Sequence, residues 1–410
     1  MNGSKTCIAM VVVAALAGTA AADAVWSGDT TVDDDWFTGG NWTGGTGTGG
    51  IPSSADVVAI DDGCSAANPV VIDSASAAAA GGMRLAYSGS GDNGYLTIKS
   101  DLDVTGDLTV GRKGGEAFVT HESGDVTVSG GGGLSTLGKP KSRYDISGGS
   151  LDVDGDWLVG RGDSGTDAQF NQTGGTVTLH ALIMGSGGYT GGSQQYNLSA
   201  GALVVEGVER DIGWKSEGNE FNHSGGTATF QADFRASTDT NDPGELTVTY
   251  SDAAQFTAQA NYNVGSSGGG GEAWIVLDGS RTGAGTDVIA QQNVNFNALS
   301  HIEPIIDAAA IATASDMRKF DITGAISFDP GALIKPQFDA GATPTAGTWI
   351  VATYASATGG GDLAKDPATA AGWSFNVGAT ELTVSWVPEP ATLAVLGLGG
   401  AVVLVRRRRR

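Results

Sequence analysis

Alternating aspartates are the residues of this 410-residue chain whose spacing comes closest to a metal site. Asp152, Asp154 and Asp156 lie two positions apart, so in a β-strand all three carboxylates would point to one face. Carboxylate oxygens are the ligands that Ca²⁺ prefers in proteins. The segment lacks the glutamate that completes an EF-hand loop, and the Gly-Gly-x-Gly-x-Asp calcium repeat is missing. We therefore expect an acidic face that holds Ca²⁺ only loosely, and no cofactor.

The histidines and cysteines form no catalytic or zinc-binding motif. No His-x-His, His-Glu-x-x-His or Cys-x-x-Cys spacing occurs, and the sequence contains no Gly-x-Ser-x-Gly elbow or phosphate-binding loop. The four histidines are scattered, at His121, His180, His223 and His301. The sequence therefore predicts that the protein is not an enzyme.

A repeat of about 25 residues, between about 102 and 230, is the most informative pattern in the sequence. Each of four copies begins with an aromatic residue, which two further residues separate from a small tripeptide such as Ser-Gly-Gly. An apolar residue then follows seven positions after the aromatic one. The aromatic residues are 26, 26 and 25 positions apart, at Tyr144, Phe170, Tyr196 and Phe221. A second match relates 101–111 to 150–160 at an offset of 49, which is two periods.

This period predicts an all-β fold, a parallel β-helix. Each unit holds two or three short strands with alternating apolar residues, and helical spacing is absent. The unit is too short for a propeller blade, whereas it fits one β-helix turn. Seven turns stacked about 4.8 Å apart would make a rod of about 30 Å. We expect the four aromatic residues to stack in a ladder inside the rod, and glycines to occupy corners with positive φ.

Composition excludes several classes of protein. Glycine accounts for 66 residues, but without the three-residue period of collagen. Apolar residues make up 40% of the chain, which is too many for a wholly disordered protein. The chain has 45 acidic and 22 basic residues, and this net charge of −23 argues against nucleic acid as a partner.

Both ends of the chain carry features of export. Lys5, a short apolar run and small residues predict a signal peptide within the first 24 residues, cleaved after Ala22 or Ala24. Near the other end, the apolar stretch 391–405 predicts a short transmembrane helix with cytoplasmic arginines. The candidate processing residues flank this stretch, and they are Pro388, Glu389, Pro390, Arg406, Arg407, Arg408, Arg409 and Arg410.

The segment from Pro388 to Arg410 resembles the PEP-CTERM sorting signal, in which a Pro-Glu-Pro triplet, a short hydrophobic helix and a basic end follow in this order. The resemblance implies that an exosortase, a membrane protease-transpeptidase, recognises the triplet and removes the tail. It also implies an exported protein of a Gram-negative bacterium, commonly one that makes exopolysaccharide. A plain C-terminal membrane anchor is the alternative.

The start of the mature chain resembles the opening of autotransporter-like β-helix proteins of bacterial envelopes. This resemblance depends on three tryptophans among glycine and aspartate, and on the glycine-rich repeat. It implies a surface rod whose N-terminal module is a cap. The tryptophans are Trp26, Trp36 and Trp42.

These patterns divide the chain into five segments. We expect a signal peptide, an N-terminal β cap, β-helix repeats, a C-terminal β-module and the sorting signal, at 1–24, 25–100, 101–300, 301–387 and 388–410. The expected partners are signal peptidase, an exosortase-type protease and extracellular polysaccharide, with membrane contact only through the C-terminal helix. We expect the protein at the cell surface, in the envelope or outside the cell, as a structural component.

Two alternative functions remain open at this stage. A β-helix polysaccharide lyase or hydrolase would cluster charged residues on adjacent turns, and Arg112 and Arg161 occupy equivalent corners with Asp163 nearby. A glycan-binding adhesin would instead use the three N-terminal tryptophans as stacking platforms.

Overall fold

The computed structural model describes the greater part of the chain, and every structural statement below concerns those residues. They are 22–28, 33–87, 91–111, 115–135, 141–161, 167–185, 192–207, 212–213, 217–237, 244–266, 270–278, 287–306, 317–339 and 346–387.

The chain winds as a β-solenoid in which successive turns add parallel strands to three sheets, which we call sheets I, II and III. The all-β parallel fold predicted from the repeat is confirmed. Sheet I has 13 strands: Val70–Ile72, Gly94–Ile98, Ala117–His121, Lys141–Ile146, Asp167–Gln172, Ser193–Leu198, Asn219–His223, Glu245–Tyr250, Glu272–Asp278, Ser300–Ile306, Leu333–Ile334, Gln337–Phe338 and Ala364–Lys365.

Sheet II follows sheet I in each turn. Its strands are Ala78–Ala80, Leu102–Val104, Asp125–Val128, Ser150–Arg161, Thr176–Met184, Ala202–Val205, Thr227–Phe230, Gln255–Ala258, Val288–Ala290, Phe320–Ile322, Gly347–Thr353, Trp373–Val377 and Glu381–Trp386. The last two strands are antiparallel and close this sheet at the C-terminal end.

Sheet III completes each turn. Two long strands, Ser150–Arg161 and Thr176–Met184, run from sheet II into sheet III. Its other strands are Ala22–Trp26, Trp42–Thr43, Asp56–Ile60, Gly82–Leu85, Leu108–Val110, Gly132–Ser135, Phe234–Ala236, Tyr262–Val264, Val294–Phe296, Ala325–Phe328 and Ser356–Thr358. Two short 3-10 helices, Gly39–Asn41 and Thr48–Gly50, lie in the N-terminal region.

The turn length matches the repeat in the sequence. Eight turns of 23 to 27 residues connect partner positions of sheet I: Leu96, Val119, Tyr144, Phe170, Tyr196, Phe221, Val248, Ile275 and Ile302. The next two turns are longer, because Ile302 pairs with Ile334 and Ile334 with Lys365. Parallel pairing therefore continues past residue 301, where the composition of the sequence changes.

The predicted aromatic ladder is confirmed as part of the core. Tyr144, Phe170, Tyr196 and Phe221 are fully buried, and their ring centroids stack 5.2, 4.7 and 5.5 Å apart along the ladder. The corner after each sheet I strand that carries one of these rings needs a left-handed backbone, which glycine adopts without steric cost. The residue there has a φ between 66° and 88° in four successive turns, at Gly149, Gly175, Gly201 and Gly226.

Aromatic clusters close both ends of the described solenoid. At the N-terminal end, Trp42 packs edge-on against Trp26 and Trp36, and its indole N–H donates to the Trp36 carbonyl at 2.8 Å. At the C-terminal end, Phe338 contacts Trp373 and Trp386 of the antiparallel hairpin. These rings cover core side chains at the two ends of the described turns.

Candidate functional site

The sorting segment begins where the C-terminal hairpin ends. The N–H of Val387 donates to the Gly372 carbonyl at 3.0 Å, and Val387 is 61% exposed. The chain therefore reaches the surface at this point. The candidate processing residues lie outside the described residues: Pro388, Glu389, Pro390, Arg406, Arg407, Arg408, Arg409 and Arg410. The predicted C-terminal transmembrane helix lies there too, and among the described residues no helix is long and apolar enough to cross a membrane.

The three aspartates of the acidic strand do not share one face, contrary to our expectation. Asp152 pairs with Thr178 in sheet II, whereas Asp156 pairs with Ala181 in sheet III. The register shifts between Val153 and Asp156 because the strand turns the corner between the two sheets there. Among the described residues, no group of three or more His, Cys, Asp and Glu side chains could hold a metal ion.

The N-terminal tryptophans cannot serve as glycan-stacking platforms. Trp26, Trp36 and Trp42 are 3%, 0% and 6% exposed and pack on one another. A sugar ring needs an open aromatic face, and these faces belong to the core. Of the residues that suggested an enzyme, Arg112 and Asp163 lie outside the described residues, and Arg161 is described only as the last residue of its strand.

Charged and aromatic side chains meet on the outer surface of sheet I near its C-terminal end. We call this group the His301 cluster, and it consists of Glu272, Trp274, His301, Glu303, Lys335 and Asp366. Nε2 of His301 lies 2.7 Å from Oε1 of Glu272, and Nδ1 faces Oδ2 of Asp366 at 3.8 Å. The imidazole is therefore held between two carboxylates that come from different turns.

Burial lowers the pKa of His301 below its ordinary value of 6.5. The charges of Glu272 and then Asp366 oppose this effect, because a carboxylate favours the imidazolium form, whereas the ammonium of Lys335 adds to the lowering. The side chain of His301 is only 11% exposed. A substrate would have little access to it, so we interpret the imidazole as a link between turns.

Lys335 extends this network across the next turn. Its ammonium lies 3.3 Å from Oε2 of Glu303 and 5.0 Å from the centre of the Trp274 ring. The other oxygen of Glu303 accepts a hydrogen bond from the Gln337 amide. The cluster therefore joins four consecutive turns through side chains, in the region where the turns become longer.

A groove of about 680 Å³ lies on the outer surface of sheet III in the N-terminal half. Its charged lining residues are Arg84, Asp107 and Asp156, and six glycines also line it. The guanidinium of Arg84 lies 4.6 Å from the centre of the Tyr87 ring. Asp107 is positioned by its Oδ1, which accepts the Gly131 N–H at 3.0 Å.

Neither the His301 cluster nor the groove was predicted from the sequence. A partial signal existed for the groove, since the offset of 49 between 101–111 and 150–160 places Asp107 and Asp156 at equivalent positions. For the His301 cluster, the only signal was an aromatic and acidic pair, Glu272 and Trp274, about one period before His301.

Residues 387–410 match the PEP-CTERM protein-sorting motif. Comparison with curated proteins and with solved structures gives no match. The motif implies an exported, envelope-associated protein that an exosortase sorts, and it lies directly after the hairpin that closes the described solenoid. The chain is thus a β-solenoid with a C-terminal sorting motif.

Proposed function

We propose that this protein is a non-enzymatic structural component of the cell surface or extracellular matrix, delivered by its sorting motif and associated with exopolysaccharide. The observation that carries this proposal is the position of the motif, immediately after a solenoid of continuous parallel ladders. Signal peptidase and an exosortase process the two ends, and the C-terminal helix holds the chain in the membrane only until the tail is removed.

The ladders support a mechanical role. Twelve successive strands of sheet I, which we call rungs, stack along the solenoid axis from Val70–Ile72 to Ala364–Lys365. At about 4.8 Å per rung, the sheet extends about 50 Å along that axis. Side chains on its outer surface continue the hydrogen bonding, since amides join Asp145, Asn171, Asn197 and Asn222 at 2.7, 2.8 and 3.0 Å. A rod with this bonding resists local opening, which a matrix component requires.

Localisation of two variants in the native bacterium tests the proposal. Deletion of 388–410 should release the protein without processing by the exosortase. Replacement of Pro388-Glu389-Pro390 by three alanines keeps the helix and the arginines, and should trap an unprocessed form in the membrane. The matched control replaces two prolines and one acidic residue that are exposed on the solenoid, Pro330, Asp362 and Pro367, by alanine and should leave the location unchanged.

Fractions of membrane, medium and matrix, probed with an antibody to the solenoid, give the result. An unchanged distribution of both sorting variants would contradict the proposed sorting. Release of new reducing ends from polysaccharide by the purified protein would contradict its non-enzymatic character.

A further inference from the structure

We propose that the groove on sheet III binds an extended strand of uncharged polysaccharide. The inference deepens the proposed function, because it names the chemical class of the partner and the surface that contacts it. The groove is built on five consecutive rungs of sheet III, so it extends about 19 Å along the rod axis at about 4.8 Å per rung. A polymer strand fits this shape better than a compact ligand does.

Two rows of outward positions form the groove. In the first row, Val57, Asp107 and Asp156 alternate with glycines on the rungs between them, at Gly82 and Gly131. The second row carries Arg84, Thr109, Gly133 and Leu158 on adjacent rungs. The alternation leaves gaps between side chains where a ligand can approach the backbone of the sheet.

Gly82 is the position where the gap does not follow from the needs of the backbone. A Cβ built on Gly82 would lie 3.6 Å from the Asp107 carbonyl oxygen and 3.9 Å from Cγ2 of Val57, which are ordinary contacts. Its φ does not lie in the left-handed region. Glycine weakens a strand interior, so a larger residue would serve the sheet better. The backbone therefore does not require glycine at Gly82, and we take the missing side chain as a sign that the groove has an occupant.

The charges of the groove define that occupant. Two aspartates and one arginine line it, and the whole chain has a net charge of −23, so a polyanion would be repelled. Asp107 and Asp156 stand two rungs apart, about 9.6 Å, which is too far for both to ligate one cation. An apolar chain would displace water from these charged groups and offer them no hydrogen bonds in return. Hydroxyl groups satisfy carboxylates and a guanidinium alike.

The spacing of the two carboxylates adds a requirement on the polymer. A strand whose repeating unit matches two rungs would present the same hydroxyl groups to Asp107 and to Asp156. The middle of each repeating unit would then lie over Gly131, where the absence of a side chain leaves room. Tyr87, whose ring lies beneath the Arg84 guanidinium, also lines the groove.

Affinity electrophoresis of the full-length protein in non-ionic detergent tests the proposal. The gels contain hydroxyethylcellulose, dextran, polygalacturonate or gelatin. We expect at least one of the uncharged polysaccharides, hydroxyethylcellulose or dextran, to retard the protein, and neither polygalacturonate nor gelatin to do so. Gly82→Val fills the gap with a residue that favours strands, so it should weaken binding at least tenfold without lowering the melting temperature. Asp107→Asn should also weaken binding.

The matched control is Gly361→Val, since Gly361 has open space around it and lies at the opposite end of the chain. The proposal is overturned if Gly82→Val binds as tightly as the wild type, if neither uncharged polysaccharide retards the protein, or if gelatin alone does. The assay uses purified protein, so its failure would leave the localisation results unaffected. Conversely, a failure of sorting would leave binding in the gels intact.

Discussion

The imidazole of His301 lies parallel to the indole of Trp274, with ring centroids 3.8 Å apart and an angle of 11° between the planes. The two residues occupy partner positions on adjacent turns. One oxygen of Glu272 accepts the indole N–H at 3.0 Å and lies 2.7 Å from Nε2 of the imidazole. A single carboxylate therefore positions both rings, and Nδ1 is left to face Asp366.

This geometry predicts how neighbouring charges shift the titration of His301. Its pKa should lie below 6.5, because burial outweighs the two carboxylates. Glu272→Gln should lower the pKa further by removing a charge that favours imidazolium, and Lys335→Gln should raise it. Imidazole resonances followed by NMR against pH, and assigned through His301→Gln, provide the measurement.

Glu220→Gln is the control for that titration, since Glu220 lies on the same sheet but outside the His301 cluster. It should leave the His301 curve in place. A rise in the pKa upon Glu272→Gln would contradict the arrangement of the cluster.

His223 predicts a loss of stability in mild acid. Burial, with the charge of Arg318, lowers its pKa to about 4 from 6.5. The unfolded chain therefore binds the proton more readily than the folded one. Well above pH 6.5, His223 is neutral in both states and does not reduce the free energy of unfolding. As the pH decreases from 6.5 towards 4, this free energy falls by up to about 3 kcal/mol. Urea unfolding at several pH values within this window measures the loss.

A natural substitute for His223 exists two turns earlier. Nε2 of Gln172 donates to the Gly175 carbonyl three residues on, and Nε2 of His223 bonds to the Gly226 carbonyl in the same way. His223→Gln should therefore retain the corner but reduce the pH dependence. Equal slopes of stability against pH in the variant and the wild type would show that His223 is not the titrating group.

The aromatic ladder predicts a large cost for removing one ring. Phe170 lies between Tyr144 and Tyr196 and contacts Trp157 edge-on. Phe170→Ala leaves a cavity that both neighbouring turns share, and should reduce the free energy of unfolding by about 3–5 kcal/mol. Phe118→Ala, on the outer surface of the same sheet, should cost less. Denaturant midpoints compare the two variants, and similar losses would argue against the ladder as core.

The sequence predicts the aromatic ladder because the aromatic residues recur with the same period as the turns of the solenoid. Tyr144, Phe170, Tyr196 and Phe221 recur at the length of one turn, so equal spacing along the chain becomes vertical alignment in sheet I. The corner glycines follow the same rule. The error about Asp152, Asp154 and Asp156 arose because alternation along a strand does not reveal where the strand bends into the next sheet.

The groove and the His301 cluster depend on contacts that no local pattern records. Glu272 and Asp366 are 94 residues apart, and the turns between them differ in length. Their meeting on either side of His301 follows only from the register of each turn. Asp107 and Asp156 were detectable as a repeat, but their shared groove required the neighbouring rungs to be known.

The amide ladder on sheet I predicts sensitivity to a single isosteric change. Asn197 donates to Oδ1 of Asn171 at 2.8 Å and accepts from Asn222 at 3.0 Å. Asn197→Asp turns the donor into a charged acceptor that faces another acceptor, and should cost about 1–3 kcal/mol at pH 7. Part of the loss should return in acid, where the carboxyl can donate. Asn376→Asp, at an exposed position, is the control and should have little effect.

If the predicted signal peptide is cleaved, the first strand favours one of its two candidate cleavage sites. Ala24 is fully buried and pairs with Val58, and Asp23 pairs with Val57. Cleavage after Ala24 would remove both residues from the edge of sheet III, whereas cleavage after Ala22 retains them. We therefore expect Asp23 as the mature N-terminus, which mass spectrometry of the exported protein would identify.

A substitution at Ala20 distinguishes between the two candidate cleavage sites. Ala20 stands three residues before the bond that follows Ala22, where signal peptidase requires a small side chain, and it plays no such part for cleavage after Ala24. Ala20→Arg should therefore slow the removal of the signal peptide. Normal processing of this variant, or a mature protein that begins at Val25, would show that cleavage follows Ala24. The Ala24–Val58 pair would then be absent from the mature rod, and its first strand would be two residues shorter.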